Sequence, residues 1–376
     1  MVKFIERDGD DPIQTLDLYI YSTKPAKRRR MAFIVSRSFA VRSSLSRFAF
    51  TCYFPYGFFQ APRNRLLAES IKPYASLSAT EQFKIRNIKT EEEFESVIIN
   101  WMVEEGWRPG LKDAECFFAC DPTAAFVGEL NGKPIACITM TKYSQRSTFG
   151  GCYIVSREYR GKGYGGMLRD AVLASVMPSR SIAISGLLNL EELYKRKGFR
   201  SQFYGARFDF HPSTAITRLS EMSERCPVNI KWIEEVDLQA LFRYDAAVFG
   251  VERHAFLSKW LRIPGKHGRV AINSEGSIVG YIVARPMFVK EDGYKIGPLF
   301  ADSEAIAEKL LKAVFNELLQ AEPAPVVCID APTKRAKEMG EKLQGKKSFE
   351  MVYMVMYDLP DACFDKWFGM TTPELG

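Results

Sequence analysis

The chain has 376 residues, of which 47% are apolar and 26% are charged, an ordinary composition for globular domains. This composition excludes a wholly disordered, collagen-like or coiled-coil protein, and the length favours two or three domains. The net charge of +7 is unevenly distributed, because residues 18–82 carry a net +9 and residues 83–376 only +1. The body of the chain lacks the basic excess of a nucleic-acid-binding domain, so no nucleic-acid partner is expected.

Cysteine, histidine and hydropathy exclude further classes of protein. The eight cysteines show no CxxC spacing and the chain has only three histidines, so no metal site is expected. Scattered cysteines of this kind indicate a reduced intracellular protein. The longest charge-free apolar stretch near the start, residues 48–62, is broken by Pro55 and Gly57. It is shorter than the roughly 20 residues of a membrane span, and no span is expected.

Residues 1–82 show none of the periodicity of a folded domain, and we expect a flexible, basic extension there. Within it, residues 31–50 are rich in Arg and Ser and contain no acidic residue, a composition typical of mitochondrial transit peptides. The acidic residues 1–17 precede this run, so a targeting segment and a plain basic tail both remain open. The expected location is the cytoplasm, or the mitochondrion if residues 31–50 direct import.

From residue 83 onward the hydrophobic pattern becomes regular. Thr90 and Glu93 form a capping box that opens a helix, and Asn131-Gly132 between two apolar runs is a strong hairpin signal. The elements expected in chain order are a strand at 83–89, a helix at 90–104, a helix ending near 120, strands at 124–130, 134–143 and 150–155, a helix at 165–176, a strand at 181–185, a helix at 190–196 and a strand at 202–210.

After a linker expected at residues 212–227, the same order of elements recurs: a hairpin, a strand, a long helix, a strand, a short helix and a strand. This repeat predicts a tandem pair of α/β (α+β) domains at residues 83–211 and 228–360, followed by a tail at residues 361–376. Each domain is expected to hold a central mixed, mostly antiparallel sheet flanked by helices.

The sequence YIVSREYRGKGYGGML at residues 153–168 joins a strand to a helix through a glycine-rich loop. Such glycines let backbone N–H groups turn toward one point, where the helix N-terminus adds partial positive charge for a pyrophosphate. A Rossmann site is excluded because the loop follows an antiparallel hairpin and no acidic residue ends a second parallel strand. A Walker A loop is excluded because neither GKS nor GKT follows the glycines.

This stretch resembles motif A of the GNAT superfamily of acetyl-CoA-dependent N-acetyltransferases, whose pattern is roughly V-x-P-x-[YH]-[RQ]-G-x-G-[IY]-[GA]. Arg157 stands where proline is frequent. LYKRKGF at residues 193–199 resembles a second segment of the superfamily, LYxKxGF. Residues 106–143 and 295–311 resemble the YitH-like two-domain acetyltransferases, and the similarity covers residues 83–358. The residues that match motif A are Val155, Tyr159, Arg160, Gly161, Gly163, Tyr164 and Gly165.

The resemblance implies acetyl-CoA as co-substrate and no metal. It implies that the strand before motif A splays from its parallel neighbour, so that the backbone of Tyr153 and Val155 holds the pantetheine arm. It places Tyr194 as the general acid for the departing thiolate, with packing under the cofactor as the alternative. A hydroxyl with an ordinary pKa of about 10 suits that role. The residues implied at the pyrophosphate are Arg160, Gly161, Lys162, Gly163, Tyr164, Gly165 and Gly166.

The acceptor side has fewer signals. By family position alone, Trp107 and Asp113 are candidates for acceptor contact, with loop packing and a charge at a helix start as the alternatives. Cys152 is expected to be a buried strand cysteine, because no histidine nearby in sequence would activate it as a nucleophile.

The general base stays open. Some superfamily members carry a glutamate on the strand before motif A, where this chain has Phe149, Gly150 and Gly151. Glu129, Tyr143 and a water chain are the remaining candidates.

The second half has no glycine cluster and no cation after its corresponding strand. Ser303 and Glu304 place an acidic side chain at the start of the following helix, which favours the helix dipole and repels a pyrophosphate. We therefore expect tandem GNAT-like domains of which the second is a degenerate copy that covers or shapes the acceptor site.

The sequence thus predicts an acetyl-CoA-dependent N-acetyltransferase that transfers an acetyl group to the primary amine of a small molecule by direct attack. A catalytically silent acyl-CoA-binding or regulatory module is the first alternative, and a protein lysine acetyltransferase is the second. The identity of the amine and the oligomeric state stay open.

Overall fold

The computed structural model describes residues 2–4, 18–20, 82–176, 181–222, 226–321 and 325–376. The strands are β1 (Val2–Phe4), β2 (Leu18–Ile20), β3 (Phe83–Asn87), β4 (Ala125–Leu130), β5 (Lys133–Lys142), β6 (Ser147–Val155), β7 (Ser181–Leu187), β8 (Arg200–Phe210), β9 (Asn229–Trp232), β10 (His267–Ile272), β11 (Ile278–Pro286), β12 (Tyr294–Ala301), β13 (Val327–Ala331), β14 (Lys346–Met356) and β15 (Trp367–Gly369). The helices are α1 (Glu91–Phe94), α2 (Asn100–Glu104), α3 (Asp113–Cys120), α4 (Tyr164–Val176), α5 (Glu191–Lys195), α6 (Pro212–Met222), α7 (Leu238–Phe249), α8 (His254–Trp260), α9 (Glu304–Ala321) and α10 (Lys334–Lys342).

Two parts of the expected N-terminal extension are short strands. β1 pairs with β2, and β2 pairs with β3 at the edge of the sheet. The transit-peptide-like residues 31–50 lie outside the described residues, as does most of the remaining extension.

Local sequence signals produce the expected elements in the first half. Thr90 caps α1, because its Oγ1 accepts the N–H of Glu93 at 3.1 Å, and a π-helical segment (Glu95–Ile99) joins α1 to α2. Asn131 and Gly132 adopt positive φ values of 52° and 81°, as the hairpin turns that match strand twist require. This turn joins β4 to β5.

The strands form one mixed sheet in the order β1-β2-β3-β4-β5-β6-β7-β14-β8-β13-β12-β11-β10-β9, and β15 joins it at β12. Along this order β6 pairs with β7 and β12 with β13 in parallel, and the remaining pairs are antiparallel. In the first half, α4 packs on one face, and α2 and α3 pack on the other. The predicted class, a mixed and mostly antiparallel sheet flanked by helices, is confirmed.

The two halves of the chain exchange their last long strands. β14 of the second half lies between β7 and β8 of the first half, and β8 pairs in turn with β13 of the second half. Backbone pairing therefore runs without interruption from one half to the other. The expected domains at residues 83–211 and 228–360 are interlocked, because each completes its sheet with a strand of the other.

The linker expected at residues 212–227 begins as a packed helix. Its first part is α6, which contacts α9 and buries Ala215 and Leu219 almost completely. The four-residue spacing of these side chains places them on one face of the helix. The described first part of the expected linker therefore packs against the core of the second half as a helix.

The tail expected at residues 361–376 is also part of the core. β15 pairs with β12, and every residue of what we call the 367–376 segment is buried. The indole of Trp367 stacks on Phe249 and Phe300 at centroid distances of 5.6 and 5.3 Å. The segment is too short for a clear hydrophobic periodicity, so its burial could not be predicted from the sequence.

One hydrophobic cluster crosses from the first half to the second. It contains Met102 and Phe117 from α2 and α3, Trp260 from α8, and Leu375 from the 367–376 segment. In the first half, this cluster covers the face of the sheet that lies opposite α4. None of the described helices is long and apolar enough to cross a membrane.

Candidate active site

The parallel strands β6 and β7 separate partway along their length. Residues 147–150 of β6 pair with residues 181–184 of β7. Beyond this point β6 continues to Val155 with β5 on its other side, and β7 continues to Leu187 with β14 on its other side. A V-shaped gap therefore opens between two strands that are each held along their outer edge.

The gap receives backbone polar groups of β6. Ser156 donates its N–H to the carbonyl of Ile135 at 2.9 Å, so strand alternation turns the N–H and C=O groups of Tyr153 and Val155 the other way, into the gap. The carbonyl of Val155 accepts a hydrogen bond from Nε of Arg160 at 2.8 Å. The other backbone groups are placed to pair with an extended ligand, as a further strand would.

A β-bulge lies where the gap begins. Two residues of β6, Cys152 and Tyr153, stand opposite Ile138 of β5, and Cys152 has a positive φ of 47°. Bulges interrupt regular pairing and re-aim the neighbouring groups. A non-glycine residue at positive φ is strained and persists where its surroundings hold it. The bulge thus turns the backbone at the point where the strands part.

The glycine-rich loop follows the end of β6. Gly161 and Gly163 adopt positive φ values of 74° and 91°, which favour glycine. An added Cβ at Gly161 would meet no atom within 4 Å, so the loop leaves space beside the start of α4. Tyr164 and Gly166 lie in the first turn of this 13-residue helix, whose N–H groups and dipole favour an anion there.

Gly165 permits the close approach of α4 to β6. An added Cβ would lie 2.7 Å from Oη of Tyr153 and 2.7 Å from Cγ2 of Val155. The side chain of Tyr164 is buried, with its ring centroid 5.2 Å from that of Phe83. This packing fixes the start of α4 beside the gap, and it leaves the backbone of Tyr164 to face a ligand.

Arg160 and Lys162 lie at the surface of the loop. Arg160 pairs with Glu105 at 2.6 Å, and Arg157 approaches the same carboxylate at 3.6 Å. Because exposed ion pairs contribute only about 0–1 kcal/mol, Arg160 can exchange Glu105 for an arriving phosphate. Nζ of Lys162 lies 5.3 Å from the ring centroid of Tyr159, a cation–π contact.

Tyr194 borders the gap from the side of β7. Its ring packs on Gly186, where an added Cβ would lie 2.6 Å from Cε2. Burial, with a smaller effect of Tyr153, raises the pKa of Tyr194 to about 12, and Arg169 opposes the rise. The phenol is therefore protonated at neutral pH, as a general acid has to be.

Arg169 was not among the residues predicted from the sequence. It lies on α4 one turn after Gly165, so it shares the helix face that meets β6. Burial raises the pKa of Tyr153, and the charge and hydrogen bond of Arg169 oppose that rise. A cation thus lies close to Tyr153 and Tyr194, and its four-residue spacing from Gly165 is the sequence signal that could have identified it.

The two acceptor-side candidates make contacts within the protein. Asp113 is fully buried and forms a bidentate ion pair with Arg285 at 2.9 and 3.1 Å. It also accepts the N–H of Gly110 at 2.7 Å. Trp107 is half-buried, and its carbonyl accepts a hydrogen bond from Arg207 at 3.1 Å. We therefore assign Asp113 to packing between the halves instead of acceptor contact, and acceptor contact by Trp107 stays a prediction.

The side chains considered as general bases are engaged elsewhere. Glu129 pairs with Arg86 at 2.6 Å, and the hydroxyl of Tyr143 donates to the carbonyl of Leu375 at 2.8 Å. Burial raises the pKa of Tyr143 well above its ordinary value, so its phenolate does not form at neutral pH. Neither group is free to take a proton from an amine.

Cys152 lies inside the sheet. It is 2% exposed, and its Sγ is 3.9 Å from Sδ of Met102. Burial, followed by the charge of Glu374, raises the pKa of its thiol well above the ordinary value. Because the thiolate is the nucleophilic form, this geometry agrees with a buried strand cysteine. Within the described ranges, no group of three or more His, Cys, Asp or Glu side chains is arranged to hold a metal ion.

The corresponding gap in the second half is filled by the chain itself. Residues 294–296 of β12 pair in parallel with residues 327–329 of β13, and β15 then pairs with Phe300 and its neighbour on β12. Met370, which follows β15, donates its N–H to the carbonyl of Asp330 on β13 at 3.0 Å. The polypeptide therefore lies between the two strands.

The helix start in the second half is occupied by an acid. The carboxylate of Glu304 pairs with Lys342 at 2.5 Å and with Arg335 at 3.8 Å. Oγ of Ser303 accepts the N–H of Ile306 at 3.3 Å. This arrangement agrees with the predicted degeneracy of the second half.

Family models match both halves of the chain. A model described as the acetyltransferase (GNAT) family matches residues 85–199, and one described as an acetyltransferase (GNAT) domain matches residues 241–363. The first match contains the gap and the glycine-rich loop, and the second contains β12, α9 and β13.

Curated and solved relatives cover most of the same region. Holothin acyltransferase from Pseudoalteromonas sp. (strain SANK 73390) is 29% identical over 237 residues, 63% of this chain and 75% of the relative. A putative acetyltransferase from Pyrococcus horikoshii matches with a TM-score of 0.60 at 18% identity. The match covers 78% of this chain and 96% of that protein's chain. A tandem GNAT protein from the clavulanic acid biosynthesis pathway has a TM-score of 0.51 at 10% identity, with coverages of 73% and 98%. At these identities the two solved structures establish the fold alone.

Proposed function

We propose that the first half of the chain is an N-acetyltransferase. The chain belongs to the GNAT family of acyltransferases and carries two GNAT domains in tandem. Acetyl-CoA is the proposed donor, and the primary amine of a small molecule is the proposed acceptor. The observation that carries the proposal is the gap between β6 and β7, which leads to the glycine-rich loop at the start of α4.

The donor would lie along the gap. Backbone groups of Tyr153 and Val155 face the pantetheine arm, and the N–H groups of the loop and of the first turn of α4 face the pyrophosphate. Arg160 and Lys162 add positive charge at the outer side of that loop. Acetyl-CoA supplies a thioester whose carbonyl carbon accepts an amine nucleophile.

The reaction proceeds by direct attack on the thioester. The lone pair of the amine nitrogen forms the new C–N bond, and the C–S bond breaks with its electron pair moving to sulfur. Tyr194 donates its phenolic proton to that sulfur, since the raised pKa keeps the phenol protonated before the step. The nearby cation of Arg169 favours the phenolate that remains. The products are an amide and free CoA.

The surroundings of β6 support a small acceptor. The face of this strand opposite α4 is covered by Met102 of α2 and by the 367–376 segment, so it is not an open surface. A lysine on a folded protein needs an open approach, so a small primary amine fits better. The relative named holothin acyltransferase supports acyl transfer as the reaction class.

Turnover with a panel of primary amines tests the proposal. Acetyl-CoA and each amine are mixed with the protein, and released CoA is detected with a thiol reagent. We expect Tyr194→Phe to lower kcat by about 10²–10⁴-fold, because the departing thiolate loses its proton donor. The matched control is Tyr244→Phe, which removes a phenol that donates to Asp302 in the second half and should leave kcat unchanged.

Three outcomes separate the alternatives. Unchanged CoA release in Tyr194→Phe excludes this residue as the general acid. No CoA release by the wild type, together with a rise in Tm on adding acetyl-CoA, favours a silent acyl-CoA-binding module. The absence of any such rise in Tm contradicts both functions.

A further inference from the structure

The 367–376 segment extends from the second half of the molecule to the site in the first half. After β15 it crosses the face of β6 that lies opposite α4. An added Cβ at Gly151 would lie 2.3 Å from the carbonyl oxygen of Glu374. Gly376 lies against Phe149 of the same strand, since a Cβ there would be 3.0 Å from Cε2 of the ring. Gly151 thus provides the space in which the segment is seated.

Glu374 brings a buried carboxylate to this face of β6. The residue is 3% exposed, and its Oε2 accepts a hydrogen bond from the hydroxyl of Thr372. Its charge contributes to the raised pKa of the Cys152 thiol at the bulge. Because the backbone of Glu374 also packs on Gly151, the residue lies close to the point where β6 leaves β7.

Glu374 differs from the buried aspartates in its partners. Among the residues that the structure describes, no Lys or Arg forms an ion pair with Glu374, and three buried aspartates each pair with a buried arginine. These pairs are Asp113–Arg285, Asp245–Arg253 and Asp330–Arg207. The charge of Glu374 helps to raise the pKa of Arg207, but no salt bridge among the described residues holds the carboxylate of Glu374.

A hydroxyl on β7 lies on the same side of the sheet as the 367–376 segment. Gly186 faces Tyr194, so strand alternation turns Ser185 toward the opposite face, the face on which the segment contacts β6. Oγ of Ser185 is buried and has no hydrogen-bond partner in the part of the chain that the structure describes. An unpaired buried hydroxyl lowers stability, and a polar group of a bound acceptor would satisfy it.

We propose that Glu374 is the general base for the acceptor amine, brought to the first-half site by the 367–376 segment. The proposal rests on the N-acetyltransferase activity proposed above. It accounts for a strand that has Phe149, Gly150 and Gly151 before motif A, because the carboxylate reaches that strand from elsewhere in the chain.

The step is balanced with one proton donor and one acceptor. The amine nitrogen forms the C–N bond, and one of its protons passes to the carboxylate of Glu374. The C–S bond breaks, and the thiolate takes the proton of Tyr194. Solvent then removes the proton from Glu374 and returns one to Tyr194, so one amine and one thioester give one amide and one thiol.

Glu374→Gln tests the proposal, with Glu308→Gln as its matched control. Glu308 lies on α9 in the second half and is 4% exposed, so both variants neutralise a buried glutamate. We expect Glu374→Gln to lower kcat/KM for the amine by about 10²–10⁴-fold and to abolish the acidic limb of its pH profile. The KM for acetyl-CoA should be unchanged, and Glu308→Gln should keep the wild-type profile.

A second pair of variants moves the carboxylate without removing it. The added methyl group of Gly151→Ala meets the backbone of Glu374, whereas that of Gly150→Ala meets side-chain atoms of Ile184 and Met140 at 3.1 Å on the α4 side. We expect Gly151→Ala to lose the acidic limb and Gly150→Ala to keep it. This pair decides the question if Glu374→Gln does not fold.

The outcomes distinguish this inference from the function on which it rests. A wild-type pH profile in Glu374→Gln, or in Gly151→Ala if the first variant does not fold, overturns the role of Glu374 alone. A wild-type protein that releases no CoA with any amine contradicts the N-acetyltransferase activity, and the role of Glu374 with it.

Discussion

At Gly165 the distance between α4 and β6 depends on a hydrogen atom in place of a side chain. A methyl group there would lie 2.7 Å from atoms of Tyr153 and Val155, so Gly165→Ala has to move the helix start away from the gap. We expect the KM for acetyl-CoA to rise by about 10–100-fold and stability to fall by about 1–3 kcal/mol. Steady-state kinetics and thermal denaturation measure the two effects.

Gly276→Ala is the control for a loss of stability alone. Gly276 has a φ of 82° in a hairpin turn of the second half, and an added Cβ would meet no atom within 4 Å. Its replacement should lower stability by about 1–3 kcal/mol through backbone strain and leave the KM for acetyl-CoA unchanged. An equal rise in KM in both variants would show that the approach of α4 to β6 is not what sets donor affinity.

Among the elements, β15 makes the clearest difference between the two halves. It fills the space between β12 and β13, and Glu304 lies at the start of the following helix, α9. We therefore expect one acetyl-CoA to bind per chain, and isothermal titration calorimetry measures this stoichiometry. Gly165→Ala should weaken that single binding event. A second event that persists in this variant would place a donor site in the second half.

Most elements were predictable because their signals are local. The Asn131-Gly132 turn and the regular spacing of apolar residues predicted the hairpins and helices of both halves. Local signals do not report which strands lie side by side, so the exchange of β8 and β14 was not predicted. Residues 212–227 have a proline at each end, as linkers often do, yet the spacing of Ala215 and Leu219 is helical.

The donor side of the site was easier to predict than the surroundings of its other side, because its residues are adjacent in sequence. The glycine-rich loop is continuous in sequence, so its place at a strand end was predictable from the residues themselves. By contrast, Asp113 meets Arg285 across 172 positions of the chain, and Glu374 meets Gly151 across a still longer interval. Such contacts depend on the tertiary fold, which a single sequence does not reveal.

For the whole molecule, the exchange of strands predicts that the two halves fold as one unit. β14 covers the edge of β7, which would otherwise present unpaired N–H and C=O groups. The 367–376 segment adds a second connection, because it packs in the second half and ends on β6 of the first. If Glu374 acts as proposed, the first-half site depends on the second half for its general base, although the second half has its own gap filled.

The buried pair Asp113–Arg285 joins the halves and tests this interdependence. Removal of one partner leaves an unpaired buried charge, so Asp113→Ala or Arg285→Met should lower the free energy of unfolding by about 3–5 kcal/mol. The double variant carries neither charge, and its loss should be smaller than the sum of the single losses. Denaturant unfolding followed by tryptophan fluorescence measures all three.

The exposed pair Lys133–Glu158, with side chains 65% and 62% exposed, is the control and should contribute about 0–1 kcal/mol. Additive losses at Asp113 and Arg285 would contradict a coupled interface. Because the sheet is continuous and the pair crosses between the halves, probes placed in either half should report one unfolding midpoint. Two separate midpoints would show that the halves unfold independently in spite of their exchanged strands.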